Sequence, residues 1–180
     1  MNNILKQTGI KFGGVVTAFL IAIYLIFYFV DYKLMNSIYG GFILLFIIIV
    51  FGTLAIYIAK RKLGGYITFK EAFIPYFLTI AIGVLTSTLF LFVLYGIVDT
   101  EMAGLIKQNS IELTQQQMHN FGVPEDQTAQ SVQMVTESDP YSFGSLLMSA
   151  ATRVLLLSIP GLIIALAFRN KSEFSTPRNQ

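Results

Sequence analysis

Long uncharged apolar stretches alternate with polar segments along this 180-residue chain. Three of them, over residues 12–30, 34–59 and 72–98, are long enough for a helix to cross a hydrocarbon core about 30 Å thick. A fourth, over residues 143–168, is interrupted only by Arg153. The pattern predicts an all-α integral membrane protein. We expect one membrane domain, a four-helix transmembrane bundle with spans near residues 12–31, 36–59, 72–98 and 145–168.

The polar segments between the apolar stretches predict how the spans are joined. Few residues separate the first two stretches, so those helices form an antiparallel hairpin. Before the third stretch, Gly64 and Gly65 indicate a turn, and Thr68 with Glu71 matches the capping box that begins a helix. Pro75 then lies inside that helix, where it removes one backbone hydrogen bond and bends the chain.

The segment over residues 99–142 is the largest polar part of the chain. Residues 100–120 are rich in helix formers, Gly122 is a helix stop signal, and Pro124 suits the first turn of a second helix. The sequence therefore predicts a short helical insertion between spans three and four. Its formal charge is −6, because seven acidic residues accompany the single Lys107. The acidic residues are Asp99, Glu101, Glu112, Glu125, Asp126, Glu137 and Asp139.

The distribution of Lys and Arg predicts the orientation in the membrane. Nine of the twelve lie in the N-terminal segment, the loop between spans two and three, or the C-terminal tail, which share one side. Lys33 and Lys107 lie on the other side. Because cytoplasmic loops are enriched in positive charge, we expect a protein of the cell inner membrane with both termini cytoplasmic and residues 99–142 extracytoplasmic. The first stretch lacks a signal-peptide cleavage site and is expected to remain a span.

Arg153 is the only ionisable residue inside a predicted span, and it is therefore the first functional candidate. It lies fifteen residues before Phe168, which places it about 8 Å below the outer boundary of the hydrocarbon core. We expect Arg153 to reach the outer interface or to form a pair with an acidic residue at that level. The candidate partners are Asp99, Glu101 and Asp139, with Asp99 preferred. A substrate-binding or gating role is the alternative.

Small residues recur every four positions in the third and fourth spans, a spacing that lets helix backbones approach closely. These candidate packing residues are Thr79, Gly83 and Ser87, then Gly161 and Ala165. Packing within the protein is the expected role, and a homodimer face is the alternative. Pro160 beside Gly161 also favours a break in the fourth helix, either an ordinary kink or the broken helix that many transporters use.

The composition excludes several kinds of chemistry. The chain has no cysteine, which excludes disulfides, thiolate metal sites and cysteine nucleophiles. The single histidine, His119, has no second histidine with which to bind zinc. No G-x-S-x-G, H-E-x-x-H or P-loop motif occurs. We therefore expect no catalytic residue, no cofactor, no metal site and no nucleic-acid partner.

Two segments resemble a known family. Residues 60–73, with the sequence KRKLGGYITFKEAF, and residues 97–101, with the sequence IVDTE, are similar to the signatures of the domain of unknown function 4199. Thr100 departs from the Asp-Pro-Glu that the family commonly has there. The resemblance covers nearly the whole chain and implies a small four-span protein of the bacterial inner membrane. It implies no activity.

Three functional classes remain. The preferred hypothesis is a non-catalytic accessory or scaffold protein, whose residues 99–142 dock a protein partner outside the membrane. The alternative is a small transporter or channel that acts as a homo-oligomer, which Arg153 and the two prolines favour. A membrane enzyme comes third, because no catalytic motif supports it.

Overall fold

The computed structural model describes residues 3–170, and this part of the chain is all-helical, as predicted. Lys171 and Arg178, which entered the prediction of orientation, lie outside the described residues. The elements are α1 (Asn3–Val30), a 3₁₀ helix (Tyr32–Asn36), α2 (Ile38–Lys62), α3 (Phe69–Leu91), a π-helical segment (Phe92–Val98), α4 (Thr100–Asn120), α5 (Glu125–Glu137) and α6 (Phe143–Phe168).

Four helices are long and apolar enough to cross a membrane, which confirms the four predicted spans. They are α1, α2, α3 with its π-helical continuation, and α6. The largest difference is at α1, which begins nine residues before the predicted span. Lys6 and Lys11 lie in this extra length with exposed side chains, because a helix can continue beyond the apolar stretch that spans the lipid.

Helix α3 is the centre of the bundle. It packs against α1, α2 and α6, whereas α1 and α6 make no backbone approach to each other in the described part of the chain. Helix α4 lies across one end of the bundle, where it contacts the 3₁₀ helix and the π-helical segment. Helix α5 folds back along α4. We call α4 and α5 together the cap, and the bundle end beneath them the cap end.

The turn and capping box predicted before the third span are both present. Gly64 and Gly65 adopt φ angles of 77° and 89°, the left-handed region that glycine enters without a steric penalty. Thr68 caps α3, since its hydroxyl accepts from the backbone N–H of Glu71 and the Glu71 carboxylate accepts from the backbone N–H of Thr68. Helix α3 therefore begins where the sequence predicts.

Glycines let α1 and α3 approach closely. A Cβ atom added at Gly9 of α1 would lie 2.7 Å from Cβ of Leu78, and one added at Gly83 of α3 would lie 2.5 Å from Cγ1 of Val16. The Thr79 hydroxyl lies 3.3 Å from the backbone carbonyl oxygen of Gly9 and is fully buried. The two backbones thus pack at the short distance that small residues permit in lipid.

The ring of Tyr76 lies between α2 and α6. A Cβ atom added at Gly52 of α2 would lie 2.6 Å from Cε2 of Tyr76, and one added at Gly161 of α6 would overlap Cε1. The Tyr76 hydroxyl donates to the backbone carbonyl oxygen of Leu157 at 3.1 Å, next to the turn of α6 that contains Pro160. Glycines on two helices therefore create the slot that one aromatic ring of α3 fills.

We predict that Gly161→Ala lowers the free energy of unfolding by about 1–3 kcal/mol, because the added methyl group overlaps the Tyr76 ring in a packed core. Gly144→Ala in the same helix is the matched control, since no atom lies within 4 Å of its added Cβ. Thermal and denaturant unfolding in detergent would measure both variants. Equal stability of the two variants would contradict this account of the Tyr76 slot.

Candidate functional site

A polar cavity of about 200 Å3 lies at the cap end, where α1, α2, α3, α4 and α6 converge. Five of the side chains that line it carry hydroxyl groups, and Asn36 contributes an amide. The hydroxyl side chains are Tyr24, Thr88, Ser110, Tyr141 and Ser149. Two cations, Lys107 and Arg153, also line the cavity. This cavity is the candidate site, because it contains the ionisable residue that the sequence places inside a span.

Arg153 projects from the edge of the buried face of α6. Its neighbour Val154 is buried, whereas Arg153 itself is exposed. The Arg153 guanidinium interacts with the hydroxyl group of Tyr24 on α1, although these two helices do not pack against each other. The cavity therefore separates α1 from α6 at this level, and a cation and a phenol bridge it.

Asp99, the preferred partner of Arg153, makes other contacts. One carboxylate oxygen accepts from the hydroxyl group of Tyr28 at 2.7 Å, and the other accepts from the backbone N–H of Met102 at 2.9 Å, which caps α4. The pKa of Asp99 is lowered from its ordinary value, mainly because the hydrogen bond from Tyr28 stabilises the ionised carboxylate. Glu101 is exposed in the first turn of α4. Within residues 3–170 neither acid forms an ion pair with Arg153.

Four tyrosines lie between Asp99 and Arg153, and we call Tyr24, Tyr28, Tyr95 and Tyr141 the tyrosine cluster. Tyr95 is fully buried, with its ring centroid 6.3 Å from that of Tyr28 and 4.9 Å from that of Tyr141. In the described part of the protein, the Tyr95 hydroxyl has no hydrogen-bond partner. The predicted acid and cation are thus connected through aromatic side chains and not by direct contact.

The five candidate packing residues all lie inside the protein. Thr79, Gly83 and Ser87 belong to the buried face of α3, and Gly161 and Ala165 belong to the buried face of α6. Gly83 packs on α1 and Gly161 packs on Tyr76. Packing between helices of one protomer accounts for these positions, so none of the five supports a homodimer face.

Comparison with family models gives a match over most of the chain. Residues 11–170 match the family described as protein of unknown function DUF4199. The chain belongs to this family. The match confirms the resemblance, whose signatures are residues 60–73 and 97–101, and its extent over nearly the whole chain. Neither the curated proteins nor the solved structures contain a match to it. The cavity and the cap of this DUF4199 protein therefore have to be interpreted from their own chemistry.

The tyrosine cluster was not predicted, although the sequence contains its signal. Tyr24 and Tyr28 are four residues apart near the end of the first span, so they share a helix face. Tyr95 and Tyr141 lie close to the ends of the spans that flank the polar insertion. Tyrosines at the ends of spans are usual for membrane interfaces, and this common role conceals an internal cluster.

We predict that Tyr28→Phe destabilises this DUF4199 protein at neutral pH but has little effect in acid. Because the pKa of Asp99 is lower in the folded protein, ionised Asp99 favours folding above its ordinary pKa of 3.8. As the pH falls through the pKa of Asp99 in the folded state, the carboxylate becomes protonated and this contribution to stability is lost. The unmodified protein then has no advantage over Tyr28→Phe from ionised Asp99. Unfolding midpoints of the two proteins should therefore converge in acid.

Thermal unfolding in detergent, measured from neutral pH to below 3.8, tests this. Tyr39→Phe is the control, because Tyr39 is 74% exposed. A constant difference between Tyr28→Phe and the unmodified protein at every pH would show that Asp99 does not depend on Tyr28.

Proposed function

We propose that this protein is a non-catalytic accessory or scaffold protein of a bacterial inner membrane, whose cap docks the basic extramembrane segment of a partner protein. The observation that carries the proposal is the cap itself, an acidic helical hairpin that is fixed at its base and free at its tip. Nine positive charges against two favour cytoplasmic termini and a cap outside the membrane.

The base of the cap is fixed to the bundle. Asn36 of the 3₁₀ helix donates from its amide nitrogen to the backbone carbonyl oxygen of Ile106 at 2.8 Å and lies 3.3 Å from the side-chain oxygen of Asn109. Ile106 and Asn109 are both buried. Asp99 caps the first turn of α4 while it accepts from Tyr28 of α1. The base of the cap therefore keeps a fixed position relative to the membrane spans.

The tip of the cap has little contact with the rest of the protein. Helix α5 has no buried residue, and within the described chain it packs against α4 alone. Phe121, at the turn between the two helices, is 84% exposed, and Met134 on α5 is 66% exposed. The tip of the cap is therefore a largely solvent-exposed surface that the rest of the protein does not cover.

The charge of the cap defines the chemistry of the partner. Its free part has three exposed acidic residues, Glu112, Glu125 and Asp126, and a fourth, Glu137, is exposed at the end of α5 next to the base. The single lysine of the cap, Lys107, lies at the base and donates to the backbone carbonyl oxygen of Thr136 at 2.6 Å. A surface of one charge attracts a partner of the opposite charge and repels others, which favours a segment rich in Lys and Arg.

A small transporter or channel that acts as an oligomer is the second candidate, and the polar cavity at Arg153 is the observation that favours it. Tyr76 counts against a pore through one protomer, because its ring fills the bundle between Gly52 and Gly161. Transport would then require a path formed between protomers. The docking function requires no such path, and we prefer it for that reason.

We predict that trimming the free part of the cap abolishes capture of a basic partner. Lys107 contacts Thr136, so replacing residues 111–132 by a short Gly-Ser turn joins two positions that are already close and leaves the base intact. The tagged protein would be purified from native membranes in mild detergent, and its co-purifying proteins identified. The partner should also be released by high salt, because salt screens exposed charges.

A charge variant separates electrostatic docking from general loss of the hairpin. It contains Glu112→Gln, Glu125→Gln, Asp126→Asn and Glu137→Gln, and should lose the partner while it remains folded. Only a small loss of stability is expected, because Glu125 and Asp126 favour the positive end of the α5 dipole. The matched control changes four exposed glutamines of the cap to alanine, at Gln116, Gln117, Gln127 and Gln130. It should keep the partner. Purification of the protein alone, or with a protein that the charge variant still captures, would contradict the proposal.

A further inference from the structure

The cavity at the cap end has a strong excess of positive charge. Arg153 and Lys107 line it, and no aspartate or glutamate is among the described residues that do so. A cation below the membrane surface is costly unless an anion or several polar groups surround it. Asp99 is occupied by Tyr28 and Met102, so the protein itself supplies no carboxylate to this cavity.

The hydrogen-bonding capacity of Arg153 is mostly unused. A guanidinium group has five N–H donors arranged as a fork. Within residues 3–170 its side-chain interactions are with the hydroxyl of Tyr24 and, through its charge alone, with Tyr141. Both are neutral side chains. Arg153 lines the cavity and is exposed, so its remaining donors are accessible to a ligand.

Hydroxyl groups from separate elements surround this fork. Tyr24 comes from α1, Ser110 from α4 and Ser149 from α6, while Tyr141 precedes α6. Burial raises the pKa of Tyr141, so its hydroxyl remains protonated and able to donate at neutral pH. Donors that converge from several directions suit the oxygens of a tetrahedral anion better than those of a planar carboxylate.

The volume of the cavity limits the size of the ligand. At about 200 Å3 it is smaller than the pockets that hold drug-sized molecules, which begin at roughly 300 Å3, and larger than a single water requires. We propose that this cavity is a binding site for a phosphate group. Arg153 provides the positive charge, and Tyr24, Tyr141 and Ser149 are the hydrogen-bond donors. The site does not depend on the partner proposed for the cap.

Two sources can present a phosphate group to this cavity, a phospholipid headgroup and a soluble phosphate. Arg153 lies on a membrane-spanning helix whose neighbours Leu155 and Leu156 are 70% and 60% exposed, which places lipid close to the site. Lys107 lies on the cap side and adds a charge at the polar end of the cavity. Both sources require the same contacts with Arg153, and the experiment distinguishes them.

The test uses the purified full-length protein in a neutral detergent. In one arm, inorganic phosphate is titrated and binding is measured by calorimetry. In the other, the protein is incorporated into lipid nanodiscs that contain phosphatidylglycerol or only phosphatidylcholine, and retained lipid is measured by native mass spectrometry. Arg153→Gln should weaken binding in the active arm at least about tenfold, since it removes a charge-assisted hydrogen-bond pair. Arg169→Gln, at the far end of the same helix, should bind as the unmodified protein does.

Arg153→Lys keeps the positive charge but removes the fork, so it should bind phosphate with an affinity between those of the unmodified protein and Arg153→Gln. This variant also serves if Arg153→Gln does not fold, which the unfolding midpoint would show. Binding of free phosphate identifies a soluble ligand, and selective retention of phosphatidylglycerol identifies a headgroup. Absence of binding in both arms by the unmodified protein, or equal binding by Arg153→Gln, would overturn the proposal.

Discussion

The ring of Tyr76 is the contact on which the packing of this bundle most depends. Lipid tails are as apolar as the helix surfaces, so spans associate through close packing and hydrogen bonds rather than through exclusion of water. Tyr76 provides both, because its ring fits between Gly52 and Gly161 and its hydroxyl donates to Leu157. It thereby joins α2 and α6 to α3, while Gly9 and Gly83 bring α1 to the same helix.

The position of α3 determines the position of the cap. After Leu91 the helix widens into the π-helical segment, a feature that is frequent at functional sites, and the chain then turns at Asp99 into α4. Tyr28 connects this turn to α1, and Tyr95 contacts Tyr141, which lines the polar cavity. Because its base is hydrogen-bonded to the bundle, the cap keeps a fixed orientation to the spans. This suits the proposed docking function.

Most of the fold could be predicted from the sequence, because apolar length and glycine, proline and threonine signals act locally. These local signals predict the four spans, the capping box at Thr68 and the start of α4 after Asp99. The cavity could not be predicted, because it depends on which sides of α1 and α6 are turned towards each other when both helices pack on α3. The sequence predicts that Asp99 and Arg153 lie at a similar depth in the membrane. It does not specify how each helix is rotated about its axis, and in the structure Tyr28 binds Asp99 instead.

We propose that the bundle holds the cap and the polar cavity on the outer face of the membrane. Labelling of single-cysteine variants with a membrane-impermeant maleimide tests it directly, because the chain has no cysteine of its own. Phe121→Cys lies on the cap and Tyr66→Cys in the loop before α3, and both native side chains are exposed. In spheroplasts we expect labelling at position 121 before lysis and at position 66 only after it. Labelling at position 66 before lysis, with position 121 protected, would contradict the account.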